Sequence, residues 1–244
     1  MTIQKMTMKI MKAKEITMIL LLLYGMGAAA QTQFQPDSVN KKSLWDNKFY
    51  WGVTLNNSWA TIKGTNLPNK YFWKPSVGAS LKTEYFFHKN IGVMVAAQYQ
   101  QKGSGIITED KVKTLGDPDS TYRARIKLHA FEVPISIVWR SGEIIRNTRF
   151  QGSLGIAPMV NFKSKFVQYS IEDGFHVLEL QNNRYYKNDL AITASAGINI
   201  NAGNSCLLQV HLFGTWGTKN VYTSYYNNAE GKTKIFGLKL GWMF

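Results

Sequence analysis

One cysteine, Cys206, stands in 244 residues, so no internal disulfide can staple this fold. In a segment that reads as a strand, that thiol is expected to pack as a small hydrophobe. No helical membrane span is on offer near the N-terminus. The apolar run from Ile16 to Met26 has 11 residues, against about 20 for a membrane-crossing helix. Acidic residues are scarce: 15 stand against 29 Lys and Arg, a net charge of +14. The four histidines, His88, His129, His176 and His211, match no zinc spacing, and no Gly-x-Ser-x-Gly nucleophile motif occurs. These absences exclude a disulfide scaffold and the common zinc and serine hydrolase signatures.

What is present at the N-terminus reads as an address. Lys5, Lys9, Lys12 and Lys14 precede the apolar run, and Gly27-Ala28-Ala29-Ala30 offers a small-residue cleavage site before Gln31. Residues 1–30 are therefore expected to be a secretory signal, with an uncleaved anchor as the alternative. No Cys follows, so a lipoprotein anchor is not indicated. Removing four Lys and one Glu from 29 basic and 15 acidic residues leaves 25 and 14, a net +11. In an exported chain such a surface suits lipopolysaccharide phosphate or acidic lipid, and not nucleic acid. A merely solvated basic surface is the rival reading.

Residues 31–47 are polar and without period, which predicts a periplasmic tail. From residue 48 to 244 alternation takes over. Phe236, Leu238, Leu240, Trp242 and Phe244 fall on every second residue. Val77, Ala79, Leu81, Tyr85 and Phe87 do the same opposite Ser76, Gly78, Ser80, Lys82 and Glu84. Eight segments follow this rule, near 48–57, 75–87, 91–102, 122–140, 148–162, 188–201, 205–215 and 232–244. Small residues dominate the polar face, as a narrow barrel interior requires. Short connections (88–90, 141–147, 202–204) alternate with long polar ones (58–74, 103–121, 163–187, 216–231). The expectation is an all-β fold, an eight-stranded antiparallel up-and-down transmembrane β-barrel. Its short turns are periplasmic and its four longer loops extracellular.

Aromatic residues bracket the apolar band. Trp51, Phe87, Trp139, Trp242 and Phe244 lie near the short turns, and Trp59, Trp73 and Trp216 near the long loops, as interfacial anchors would. A soluble lipocalin-type barrel alternates equally well, but the belts, the loop asymmetry and terminal Phe244 count against it. One segment breaks phase. Ala124, Ile126 and Leu128 are apolar at even positions, whereas Phe131, Val133, Ile135, Ile137 and Trp139 are apolar at odd ones. A β-bulge near His129 to Phe131 would keep both sets toward lipid and excuse Pro158. Pro134 has no such excuse.

The run Phe131-Glu-Val-Pro-Ile-Ser-Ile137, followed by Gly152-Ser-Leu-Gly-Ile-Ala-Pro158, resembles the small outer-membrane barrels of Bacteroidetes grouped as PorT-like proteins. Gly78-Ala-Ser-Leu-Lys-Thr-Glu84 with Ile91-Gly-Val, Tyr99 and Gly103 is similar as well. The resemblance covers nearly the whole mature chain. It implies a barrel in a Gram-negative outer membrane and a link with type IX protein secretion.

The inward face is expected to hold Lys82, Glu84, Arg123, Arg125, Lys127, Glu132, Gln151, Gln209 and Lys239. An internal network of pairs is one reading; a small-solute path and a binding site are the others. Ser153, His129 and Glu132 form a catalytic trio only on paper. No catalytic residue, metal or cofactor is assigned. Tyr71-Phe-Trp-Lys74 and Tyr222 to Tyr226 mix aromatic and basic groups, either as a contact surface for proteins or glycans or as a rest on lipopolysaccharide head groups. The functional expectation is a non-catalytic envelope scaffold or interaction module, with secretion partners implied by the resemblance. The alternatives are a small channel or ligand-binding barrel, and a lipid-modifying enzyme.

Overall fold

Bulky and small residues that alternate in sequence lie on opposite faces of a strand, and here the strands close on one another. The computed structural model describes residues 44–65, 70–108, 122–145, 147–169, 177–181, 187–203, 206–221 and 230–244. The signal, residues 31–43 of the tail and Tyr222 to Tyr226 lie outside them. In chain order the strands are β1 (Phe49–Thr65), β2 (Lys70–Phe72), β3 (Lys74–Phe86), β4 (Ile91–Thr108), β5 (Tyr122–Glu132), β6 (Ile135–Ile145), β7 (Thr148–Tyr169), β8 (Val177–Gln181), β9 (Asn188–Asn201), β10 (Leu207–Gly217) and β11 (Glu230–Met243).

All described pairings are antiparallel. β1 pairs with β3 on one side and β11 on the other, from Gly52 opposite Met243 to Thr65 opposite Glu230. β11 continues through β10, β9 and β7, and β4 meets both β5 and β6. The circuit closes with eight staves, because β5 and β6 share one. β5 lies between β4 and β7 in the extracellular half, and β6 between the same two strands in the periplasmic half.

That shared stave corrects the single fourth strand expected over 122–140. The ladder breaks at Val133 and Pro134, where proline has no N–H to give. Val133 N–H instead donates to the Pro158 carbonyl at 3.0 Å, and Ala96 N–H donates to the Pro134 carbonyl at 3.0 Å. Both prolines sit at one interruption.

The bulge is real but lies on the neighbouring strand. The β5–β7 register shifts between His129, opposite Lys163, and Ala130, opposite Asn161, so the extra residue is Phe162 of β7. β5 itself never slips. Ile126, Leu128, Ala130 and Glu132 all point into the barrel, and Arg125 and Phe131 are exposed. The inward assignment of Arg125 and Lys127 is thus overturned. Both share the outward parity of exposed Phe131.

Strands also run further than expected. β1, β4 and β7 continue to Thr65, Thr108 and Tyr169, through stretches that read as loop, and β2 and β8 add short pairings there. Below this collar the wall is apolar outside, with Leu81, Ile137, Leu154 and Leu212 more than half exposed. Inside, three layers follow the axis. The periplasmic mouth is aromatic, the middle polar, and the extracellular part aliphatic, with Ile62, Ile106, Ile126, Leu128 and Ile235 buried.

Candidate functional site

The periplasmic mouth is closed from the chain's own N-terminal side. Leu44–Asp46 form a turn of 3-10 helix, and Trp45 packs with Tyr50, Phe86, Met94, Val138, Leu207 and Met243. Arg140 locks this cluster. Its Nη2 donates to the Trp45 carbonyl at 2.8 Å, Nη1 to the Tyr50 hydroxyl at 3.1 Å, and Nε to the Lys89 carbonyl at 2.8 Å. The guanidinium lies 3.9 Å from the centre of the Phe86 ring, and Arg149 stacks 4.6 Å from Trp45. The end of the region read as a polar tail is therefore part of the seal. Arg140 continues the inward parity set by Ile135, Ile137 and Trp139 pointing out, so the sequence carried that signal. For Trp45 no periodic signal existed.

Arg140→Lys keeps the charge but cannot reproduce a fork of three donors. It is expected to cost about 2–3 kcal/mol, since charge-assisted hydrogen bonds each contribute about 1.5–3 kcal/mol. A red-shifted tryptophan emission would accompany it as Trp45 is wetted. Unchanged emission and unchanged denaturant midpoint would contradict the locking role.

Above the seal a hydrogen-bonded circuit crosses the lumen. Gln151 Nε2 donates to Glu84 Oε1 at 2.9 Å, and Asn199 Nδ2 donates to Gln151 Oε1 at 2.5 Å. The Asn199 Oδ1 lies 2.8 Å from His211 Nε2, which must therefore be the protonated nitrogen. Lys82 pairs with Glu84 at 2.9 Å and also donates to Gln209, which shares β10 with His211. The circuit links β3, β7, β9 and β10. A second cluster stands on β4 and β5, where Lys102 pairs with Glu132 at 2.7 Å and Gln98 donates to Glu132 at 3.3 Å. Gln100 extends it to Ser58 and Ser76 at 3.4 Å each. Both carboxylates thus meet a buried cation, as buried charges require.

Lys82, Glu84, Glu132, Gln151 and Gln209 lie in the lumen, and Lys239 rests 4.9 Å from the Phe213 ring centre. Arg123 is in register with Ile107 and Tyr169, and its side chain is outside the described residues. Sequence reasoning did not single out Lys102 or Lys74 as lumen groups. Lys102 follows from the parity of Gln98 and Gln100. Lys74 had been read as exposed in a loop, yet it is buried inside, while Phe72 lies over Gly105 on the wall.

The trio on paper is not assembled. His129 is on the outer wall against the Tyr99 hydroxyl at 2.7 Å, Ser153 faces Ser195 at 2.7 Å, and Glu132 is held by Lys102. The aromatic residues Trp51, Phe87, Trp139, Phe244, Trp59, Trp73 and Trp216 are exposed on the outer face, and Trp242 is half-exposed there. Trp51 and Trp59 are eight residues apart on β1, roughly 26 Å along the strand at about 3.3 Å per residue. That separation suits an apolar band.

A closed antiparallel wall, apolar outside and polar within, between two aromatic rings, defines an integral outer-membrane β-barrel. The chain belongs to the family described as outer membrane protein beta-barrel domain, whose model matches residues 29–222. No curated protein matches it. Among solved structures it is similar to Ail of Yersinia pestis (14% identity, covering 81% of this chain and 100% of that one, TM-score 0.39). It is also similar to OprG of Pseudomonas aeruginosa (12% identity, 80% and 94%, TM-score 0.43) and to the Neisserial surface protein A (8% identity, 80% and 96%, TM-score 0.42).

Proposed function

We propose that this protein is a non-catalytic, non-conducting interaction module of the outer membrane, working through its two ends and not through its interior. The observation that carries this reading is the filled lumen. An aromatic and arginine seal, a polar circuit and an aliphatic cap succeed one another along the axis, leaving every described layer occupied by interlocked side chains. At eight strands such filling is the expected geometry. Trp45 stands at the periplasmic mouth, and the collar of β2, β8 and the long strands rises at the opposite end. On this reading the two ends are the surfaces that other envelope proteins meet, and the PorT-like resemblance favours components of type IX secretion.

Reconstitution in planar bilayers tests the non-conducting part. The expected trace is silent, and unitary conductance from the intact chain would return the channel reading. Photo-crosslinking from the N-terminal tail in native membranes is expected to capture a defined envelope protein. Only lipid adducts from both tail and collar would contradict the interaction reading.

A further inference from the structure

The lumen carries more positive charge than it can pair. Among the described side chains above the aromatic seal stand three inward ammonium groups, Lys82, Lys102 and Lys239, and two carboxylates, Glu84 and Glu132. Lys82 and Lys102 take the carboxylates in direct ion pairs. Lys239 makes neither a hydrogen bond nor an ion pair with any described residue. However the three cations share the two acids, one positive charge stays in excess, and buried Lys74, higher in the lumen, adds to it. The face of Phe213, 4.9 Å from the Lys239 ammonium, offsets only part of what a cation loses on leaving water.

Lys239 also borders a hollow. On β7 and β9 the inward-facing Ser153, Gly155, Thr193, Ser195 and Gly197 are small, and like Lys239 they are only partly buried although the wall around them is closed. A space of at least the size of a water molecule therefore touches them. Gln151, Asn199 and His211 bound it toward the periplasm, and Ala157, Met159 and Ala191 toward the outside. The ammonium leans toward this space, because Phe213 is in register with Ser195, and Ser195 with Ser153. The two serine hydroxyls lie 2.7 Å apart, so one donates to the other and one O–H remains to give. Thr193 adds a hydroxyl two residues along β9, and residues 151–157 and 191–199 contain no carboxylate. Directly opposite Lys239 on β1, Asn56 is 5% exposed, and neither of its amide atoms has a partner among the described residues.

We propose that the lumen holds an occluded monovalent anion of the size of chloride, bound by Lys239 and by the hydroxyls of Thr193 and the Ser153–Ser195 pair, with the Asn56 amide reaching in from β1. Such an ion supplies the missing counter-charge and an acceptor for donors that otherwise have none. A larger anion does not fit between the polar circuit and the alanine and methionine cap. The ion is closed in from both ends and carries no current, so the proposed function and this site fail on different results.

The test is anomalous diffraction at the bromine edge from crystals of the full chain, refolded in sodium bromide and kept free of chloride. A bromine peak in contact with Lys239 Nζ and a hydroxyl of the β7–β9 wall is expected, and Lys239→Met should abolish it. In solution, urea unfolding of the wild type is compared in chloride and in gluconate, which is too bulky to enter, at equal ionic strength. With chloride at about 100 times its dissociation constant, the unfolding equilibrium constant should be about a hundredfold lower than in gluconate, and the Lys239→Met variant should show no such difference. A lumen free of bromine in the wild type, as water beside Lys239 would leave it, overturns the assignment. So do bromine peaks confined to surface lysines, equal wild-type stability in the two salts, or a lumen peak that survives Lys239→Met. The wild-type measurements decide the matter even if the variant fails to fold.

Discussion

Glu84→Ala is expected to lower the unfolding free energy of the barrel by about 3–5 kcal/mol, the usual cost of stripping one partner from a buried ion pair. The change takes a counter-charge and an acceptor away at once. Lys82 loses the carboxylate 2.9 Å away, and Gln151 loses the acceptor at the end of a relay that begins at His211. A small residue cannot replace the acceptor. The companion variant Lys82→Met with Glu84→Leu removes both charges together. It is expected to recover at least half of the loss, since a well-packed apolar pair avoids the desolvation cost of the ions. Urea unfolding in lipid vesicles measures both. A Glu84→Ala barrel as stable as the wild type would mean that the circuit carries no energy.

On the outer wall the sign of the argument reverses, because there a charge is penalised by hydrocarbon. Ile156 is exposed in mid-strand between Ile135 and Ile192, halfway between the two aromatic belts. Ile156→Arg is expected to cost about 2–4 kcal/mol, the midplane value for an arginine facing lipid. Ile145→Arg, at the periplasmic turn, is expected to cost about 0–1 kcal/mol, because that residue sits at the interface. In a water-soluble barrel both substitutions would be nearly silent. The depth dependence therefore matters more than either value alone.

Within the hydrocarbon band, the wall was legible because period two and one polarity rule suffice. Phe236 to Phe244 and Val77 to Phe87 assign inside and outside by counting, and the antiparallel order follows from short and long connections in turn. The rule fails where the strands leave the membrane. Above the belt the lumen is aliphatic and the outside basic, so Ile126 and Leu128 looked lipid-facing and Arg125 and Lys127 looked internal. The apparent phase slip in β5 was that reversal of environment. The true bulge, at Phe162, left no mark in the alternation of β5 itself. Trp45 was invisible for another reason. Its burial depends on long-range contact with Arg140 and Phe86, and nothing in a polar, aperiodic stretch encodes such a partner. The lumen circuit was half legible: inward parity located Lys82, Glu84 and Gln151, but which amide bonds which depends on registers between four strands.

The central claim is that the odd-numbered side chains of β3 touch hydrocarbon while the even-numbered ones do not. A spin-label scan of residues 76–85, in a Cys206→Ser background, reads this residue by residue. Collision rates with dissolved oxygen are expected to peak at residues 77, 79, 81 and 83, where a water-soluble nickel chelate should have little access. The even positions should be shielded from both probes. High chelate access at the odd positions, with no oxygen maximum, would place water against that face and contradict the barrel's insertion in a membrane.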